Sequence, residues 1–190
     1  MDHLIQEDEI FKDEDYTEKI FEKTEFNNCE FINCNFSKSD LTNSDFIDCI
    51  FKGCNLSMSV VNNTGIKNLR FVNCKLMGID FGASNHFLFG ASFENCVVDY
   101  ASFYKKKMKK ALFTDCSLKE VDFAEADLTM AVFKNCDLLD AAFVETNLEK
   151  ADFRTARNYS IDPERNKIKK ARFSFPAVAG LLNKYAIEID

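Results

Sequence analysis

The chain has 190 residues, 46% of them hydrophobic, and a formal net charge of −7. That length suits one substantial domain, and the negative balance argues against a general nucleic-acid binder. No run of about 18 apolar residues exists, so no membrane span is expected, and the acidic start MDHLIQEDEIFKDED is no secretory signal, which makes a cytoplasmic location the expectation.

Residues 1–10 are expected to shield one end of whatever follows. From Phe11 a large apolar residue returns at every fifth position: Phe11, Tyr16, Phe21, Phe26, Phe31, and onward to Phe81. The beat resumes at Phe93 and runs through Phe103, Phe113, Leu118, Phe123, Leu128, Phe133, Leu138, Phe143 and Leu148 to Phe153. A step of five fits neither a helix nor a plain strand. A residue type returning at a fixed step suggests a solenoid, in which each unit buries its apolar face on its neighbours.

A longer period lies inside the first. Phe31, Phe51 and Phe71 are 20 apart, as are Phe93, Phe113, Phe133 and Phe153; the one irregular step, 71 to 93, is 22. Cysteines repeat this independently at Cys34, Cys54 and Cys74, then Cys96, Cys116 and Cys136. Both series imply a square coil of four pentapeptides per turn, with like residues stacked, and both locate a two-residue insertion. Eight steps at about 4.8 Å give a rod of roughly 40 Å. All eight cysteines sit two places before a large apolar centre. They lack the C-x2-4-C pairing of zinc sites and read as small, soft, buried side chains.

Local breaks follow in order. Residues 59–70 keep the phase weakly, with Leu69 and Ile79 where small residues are preferred, so irregularity is expected there. Residues 82–92, GASNHFLFGAS, hold the insertion, with Leu88 recovering the phase and His86 in an exposed loop. Lys106 falls on an inward position; burying an unpaired ammonium is costly, so the corner is expected to open outward. Asp40, Asp45, Asp80, Asp122, Asp127, Asp137 and Asp152 precede a centre and are expected to bond nearby backbone N–H groups, as Asx turns do. Pro176 suits the first turn of a helix over roughly 176–185, and a short strand is expected at 186–189. The domain plan is therefore a cap at 1–10, a coil at 11–174, and a C-terminal element at 175–190.

Charge is unevenly spread. Residues 1–58 carry net −9, 59–110 net +5, 111–153 net −7 and 154–190 net +4. In the third block the outward acids Asp115, Glu120, Glu125, Asp140 and Glu145 are candidates for protein recognition by charge complementarity. No catalytic, phosphate-binding or metal motif is visible. An enzyme is not expected, nor is a cofactor or a metal.

The five-residue beat resembles the pentapeptide-repeat family over most of the chain. The resemblance implies an all-β fold, a right-handed quadrilateral β-helix with a short C-terminal helix, with centres and small residues inward and the other positions facing solvent. The tail NYSIDPERNKIKKARFSFPAVAGLLNKYAIEID is similar to that of Qnr- and MfpA-type proteins. That likeness implies a non-enzymatic DNA mimic that dimerises tail to tail, here through Val178, Leu181, Leu182 and Tyr185. It implies a type II topoisomerase, DNA gyrase or topoisomerase IV, as partner, protected from quinolones, with no direct nucleic-acid contact. The alternative is a structural or protein-interaction module that binds another protein through residues 82–92 or the Lys105–Lys110 run.

Overall fold

The computed structural model describes residues 4–21, 23–87 and 89–188. Short parallel strands form two sheets on adjacent sides of a coil. One sheet, side A, is β1 (Leu4–Glu7), β3 (Thr24–Asn27), β5 (Asp45–Ile47) and β7 (Gly65–Lys67). The other, side B, is β2 (Ile10–Lys12), β4 (Glu30–Ile32), β6 (Ile50–Lys52), β8 (Leu69–Val72), β9 (Ala91–Glu94), β10 (Leu112–Thr114) and β11 (Val132–Lys134). Single bridges close the remaining sides. Asn35↔Asn55 and Ser117↔Asp137 lie on side C; Asp40↔Val60 and Asp122↔Ala142 lie on side D. Side A continues upward, toward the C-terminus, through the bridges Lys107↔Asp127 and Asn147↔Lys167. The molecule is thus a four-sided β-solenoid.

Ring files fill the centre. Side B stacks Phe11, Phe31, Phe51, Phe71, Phe93, Phe113, Phe133, Phe153 and Phe173, with successive centroids 4.6–5.4 Å apart. Side D stacks Phe81, Phe103, Phe123 and Phe143. The two files meet edge to face, as Phe113 and Phe123 do at 6.0 Å and 78°, the geometry that ring quadrupoles favour. Cysteines occupy the inward small position. All eight are buried and free, and each thiol donates to a backbone carbonyl, as Cys54 does to Phe31 O at 3.3 Å and Cys136 to Phe113 O at 3.4 Å. Burial pushes the Cys49 thiol up to about 11, which keeps it protonated and unreactive.

Residues 59–70 are regular, contrary to the sequence expectation. Leu69 and Ile79 are buried where small residues usually sit. Their own centres remain Phe71 and Phe81, but the other centres of this coil are Val61, Ile66 and Leu76 rather than Phe, which offsets part of the added volume.

The two ends are finished differently. Within the segment expected to be a cap, Leu4–Glu7 is already coil and pairs with β3. In this first coil the inward small positions hold Leu4, Glu9, Glu14 and Lys19. Lys19 Nζ lies 4.8 Å and 5.0 Å from the ring centres of Tyr16 and Phe21. Charges on an open sheet edge oppose stacking of another chain. At the other end the expected helix is two 3-10 segments, Phe175–Leu181 and Asn183–Tyr185. Residues 186–188 form no strand, and the rest of that expected strand lies outside the described residues. The tail is docked through Gly180, where an added Cβ would stand 2.3 Å from Tyr159 O. Lys184 Nζ then bridges Asp162 at 2.8 Å and Glu164 at 2.6 Å.

The insertion is built around Lys106. Side A loses its regular pairing after β7, and Leu88 lies outside the described residues. Leu69↔Ala91 restores the register with the 22-residue offset. Lys106 is fully buried rather than turned outward. Its ammonium donates to Ser84 O at 2.6 Å and Asn85 O at 3.4 Å, and lies 5.1 Å from the Phe89 ring centre. Both carbonyls belong to the last residues before the insertion, where the Asn85 N–H still follows the lower register onto Thr64 O at 2.9 Å. Burial lowers the Lys106 amine to about 8 against the opposing pull of Asp80, and the same charge holds exposed His86 below its ordinary value. Between pH 8 and the ordinary lysine range the unfolded chain binds more protons, so this group makes stability rise with pH across that window. Wild type should therefore gain thermal stability relative to Lys106→Met between pH 8 and 10. A constant difference in Tm would contradict the buried ammonium.

Candidate functional site

Every turn of the coil has four corners, and at most of them the corner residue takes a left-handed backbone. Asp115 (φ 54°), Glu120 (54°), Glu125 (57°), Asp140 (57°) and Glu145 (55°) are all corner residues. Only Gly, Asn and Asp visit this region cheaply. Below the insertion most corners obey that preference, and several tie coil to coil: Asn28 Nδ2 donates to Asp8 Oδ1 at 2.6 Å, and Asn68 Nδ2 to Asp48 Oδ1 at 2.6 Å. Above it stand Tyr100, Lys105, Lys110, Glu120, Glu125, Glu145, Lys150 and Lys170 at positive φ. Long charged side chains in strained backbone, repeated over several coils, point to selection for something other than stability.

These residues sort by sign around the rod. Glu120 and Asp140 share one corner, Glu125 and Glu145 the next. Side D lies between these corners and adds Asp122 and the small residues Ala124, Ala142 and Val144. No Lys or Arg stands among residues 120–125 or 140–145. Glu125 accepts from Tyr104 Oη at 2.8 Å and meets Lys105 at 3.5 Å, both from the coil below. Asp122 accepts from the Ala124 N–H at 2.8 Å. Carboxylates one coil apart, about 4.8 Å, repel by about 1 kcal/mol in water. Asp115 is not part of this face. It occupies a third corner, where Asn135 Nδ2 donates to it at 2.8 Å.

The fourth corner has the opposite sign. Lys110, Met130, Lys150 and Lys170 stack there, beside Lys107, Lys109, Lys167 and Lys169 on side A. Only Asp127 and Glu149 offset them on that face. Below the insertion the same side and corner are acidic, with Glu7, Asp8, Glu25, Asp45 and Asp48. At the boundary lies a hollow of about 480 Å³, with Phe89, Met108 and Leu112 in its wall and Lys67, Lys109 and Lys110 at its rim. Counting charge along the chain averages over the four sides and hides this segregation. Counting every twentieth residue separately would have found it.

The remaining expected side chains are placed as follows. Asp40, Asp127, Asp137 and Asp152 accept a backbone N–H two residues on, like Asp122. Asp45 instead faces Lys67 at 3.6 Å. In the tail, Val178 and Tyr185 are exposed, whereas Leu181 packs on the core and Leu182 is half-buried. Phe175, missed from the sequence, is 92% exposed beside them. Among the described residues no group of three or more His, Cys, Asp or Glu could hold a metal ion. Among them, too, no helix is long and apolar enough to cross a membrane.

The pentapeptide repeat region family model matches residues 24–103 and 86–157, more than half of the chain. The chain belongs to the pentapeptide-repeat family. No curated protein matches it. Among solved structures, a trypsin-treated variant of QnrB1, a plasmid-mediated fluoroquinolone resistance protein, is 21% identical. That match covers 99% of this chain and 99% of that one, with a TM-score of 0.50. HetL, a pentapeptide repeat protein involved in heterocyst differentiation regulation from Nostoc sp. strain PCC 7120, is 14% identical over 90% of this chain and 87% of that one, TM-score 0.52. At these identities the likeness is one of fold.

Proposed function

We propose that this protein is a non-enzymatic DNA mimic whose side D enters the DNA-binding channel of a type II topoisomerase, DNA gyrase or topoisomerase IV, in the cytoplasm. One observation carries the reading: Glu120, Asp122, Glu125, Asp140 and Glu145 share a face on which two successive coils carry no base, Lys105 standing on the coil below and Arg165 on the coil above. A channel lined with Lys and Arg for phosphates would meet carboxylates at a fixed spacing on a stiff support, which favours fast association and little ordering cost. The resemblance of the tail to Qnr-type proteins chooses the partner, and QnrB1's described role in fluoroquinolone resistance agrees with that choice. Supercoiling by gyrase in the presence of ciprofloxacin tests it. The chain should restore supercoiling at micromolar concentration, and Glu120→Gln, Asp122→Asn, Asp140→Asn and Glu145→Gln together should weaken this at least about tenfold. No protection by the unaltered chain would remove the reading.

A second reading, a scaffold that binds another protein through residues 82–92, is favoured by Phe87, which is 69% exposed on the insertion. Phe87→Ala discriminates, because the mimic should keep full protection without that ring. We further propose that two copies join through the tail, using Val178, Tyr185 and Phe175, with Leu181 and Leu182 behind them. Light scattering should then give twice the chain mass, and Val178→Asp should return it to one chain. A single-chain mass before substitution would show that the tail only caps the coil.

A further inference from the structure

The face opposite the acidic one is not explained by mimicry. Ten residues are half a turn, so the corner of Lys110, Lys150 and Lys170 stands diagonally across from that of Glu120 and Asp140. Six of the seven lysines on and beside it make no ion pair among the described residues; only Lys109 does, with Asp127 at 3.5 Å. The chain carries 31 acids, yet only Asp127 and Glu149 stand on this face. Lys150 and Lys170 stand on successive coils and Lys110 two coils below Lys150, all three at left-handed backbone positions, where like charges repel one another. An anionic partner relieves the repulsion.

We propose that this lysine edge docks on the phosphate backbone of double-stranded nucleic acid. The net charge of −7 that argued against such contact is an average over the whole rod. Each side spans about three extended residues, roughly 10 Å, so diagonal corners are roughly 14 Å apart before their side chains are added. The Debye length at physiological salt is about 8 Å, so the edge acts through its own charge. Lysine alone, without Arg forks or stacking rings, suits contact that is independent of sequence. The rod is therefore two-faced: its acids meet a basic protein while its lysines hold a duplex.

Anisotropy of a labelled 30-base-pair duplex tests this with the purified full chain alone, so the outcome does not depend on the topoisomerase reading. Binding at 50 mM salt should fall steeply toward 200 mM. Lys110→Gln, Lys150→Gln and Lys170→Gln together should weaken it at least about tenfold and reduce the log–log salt slope by about 2–3. The side D substitutions should leave binding equal or stronger. Absence of binding at 50 mM salt overturns the proposal, as does undiminished binding by the glutamine variant. Equal competition by poly-glutamate would assign the edge to an acidic protein, and low-salt self-association without duplex binding would assign it to a second copy; either result also overturns it.

Discussion

The stacking of like residues at a repeat of one coil governs everything else. Each interior ring of the side B file touches the ring above and the ring below, and from Phe93 to Phe153 these rings meet the side D file by the edge. Such pairs add roughly 0.5–1.5 kcal/mol each beyond area burial. The inward small residue is the necessary complement, because a second large group beside the ring has no room. Where it is large, at Leu69 and Ile79, other centres of the same coil shrink. Where it is charged, the coil has reached its end, at Glu9, Glu14 and Lys19, or its insertion, at Lys106.

Because two positions in five make the core, three remain free for the surface. A globular core constrains its surface through loops and packing; this one leaves whole sides available. The lower half uses its corners for amide ladders that bind coil to coil. The upper half keeps such a rung at the corner of Asp115 and Asn135 and elsewhere carries acids on side D and lysines on the opposite edge. The insertion stands at the transition, where side A changes sign.

The coil, its twenty-residue turn and the position of its irregularity were legible because Phe and Cys, chosen by the core, report them independently. Lys106 was misread for a physical reason. Its cost was judged against a regular corner, whereas the Ser84 and Asn85 carbonyls, just before the insertion, accept from it. The coil already begins inside the segment expected as a cap at 1–10, and the helix expected at 176–185 forms as two 3-10 segments. Pattern marks the core, but ends are settled by particular contacts, such as Lys19 on Tyr16 and Gly180 against Tyr159. The acidic candidates were individually visible as outward residues. Their separation, with Asp115 on another corner and Asp122 joining the face, needed the fold, because neighbours on a side are twenty residues apart in the chain.

The coil claim is most directly tested by circular dichroism and thermal melting of two deletions. Removing residues 114–133 takes out one whole turn and places Lys134 where Thr114 stood, so the files close up and a shorter β-solenoid with a cooperative melt is expected. Removing residues 114–135 leaves a turn two residues short, so above the cut centres fall on the small inward positions and corner residues such as Asp140 fall on centre positions, and loss of the upper coils is expected. Equal spectra and equal melting temperatures for the two deletions would contradict a structure built on twenty-residue files.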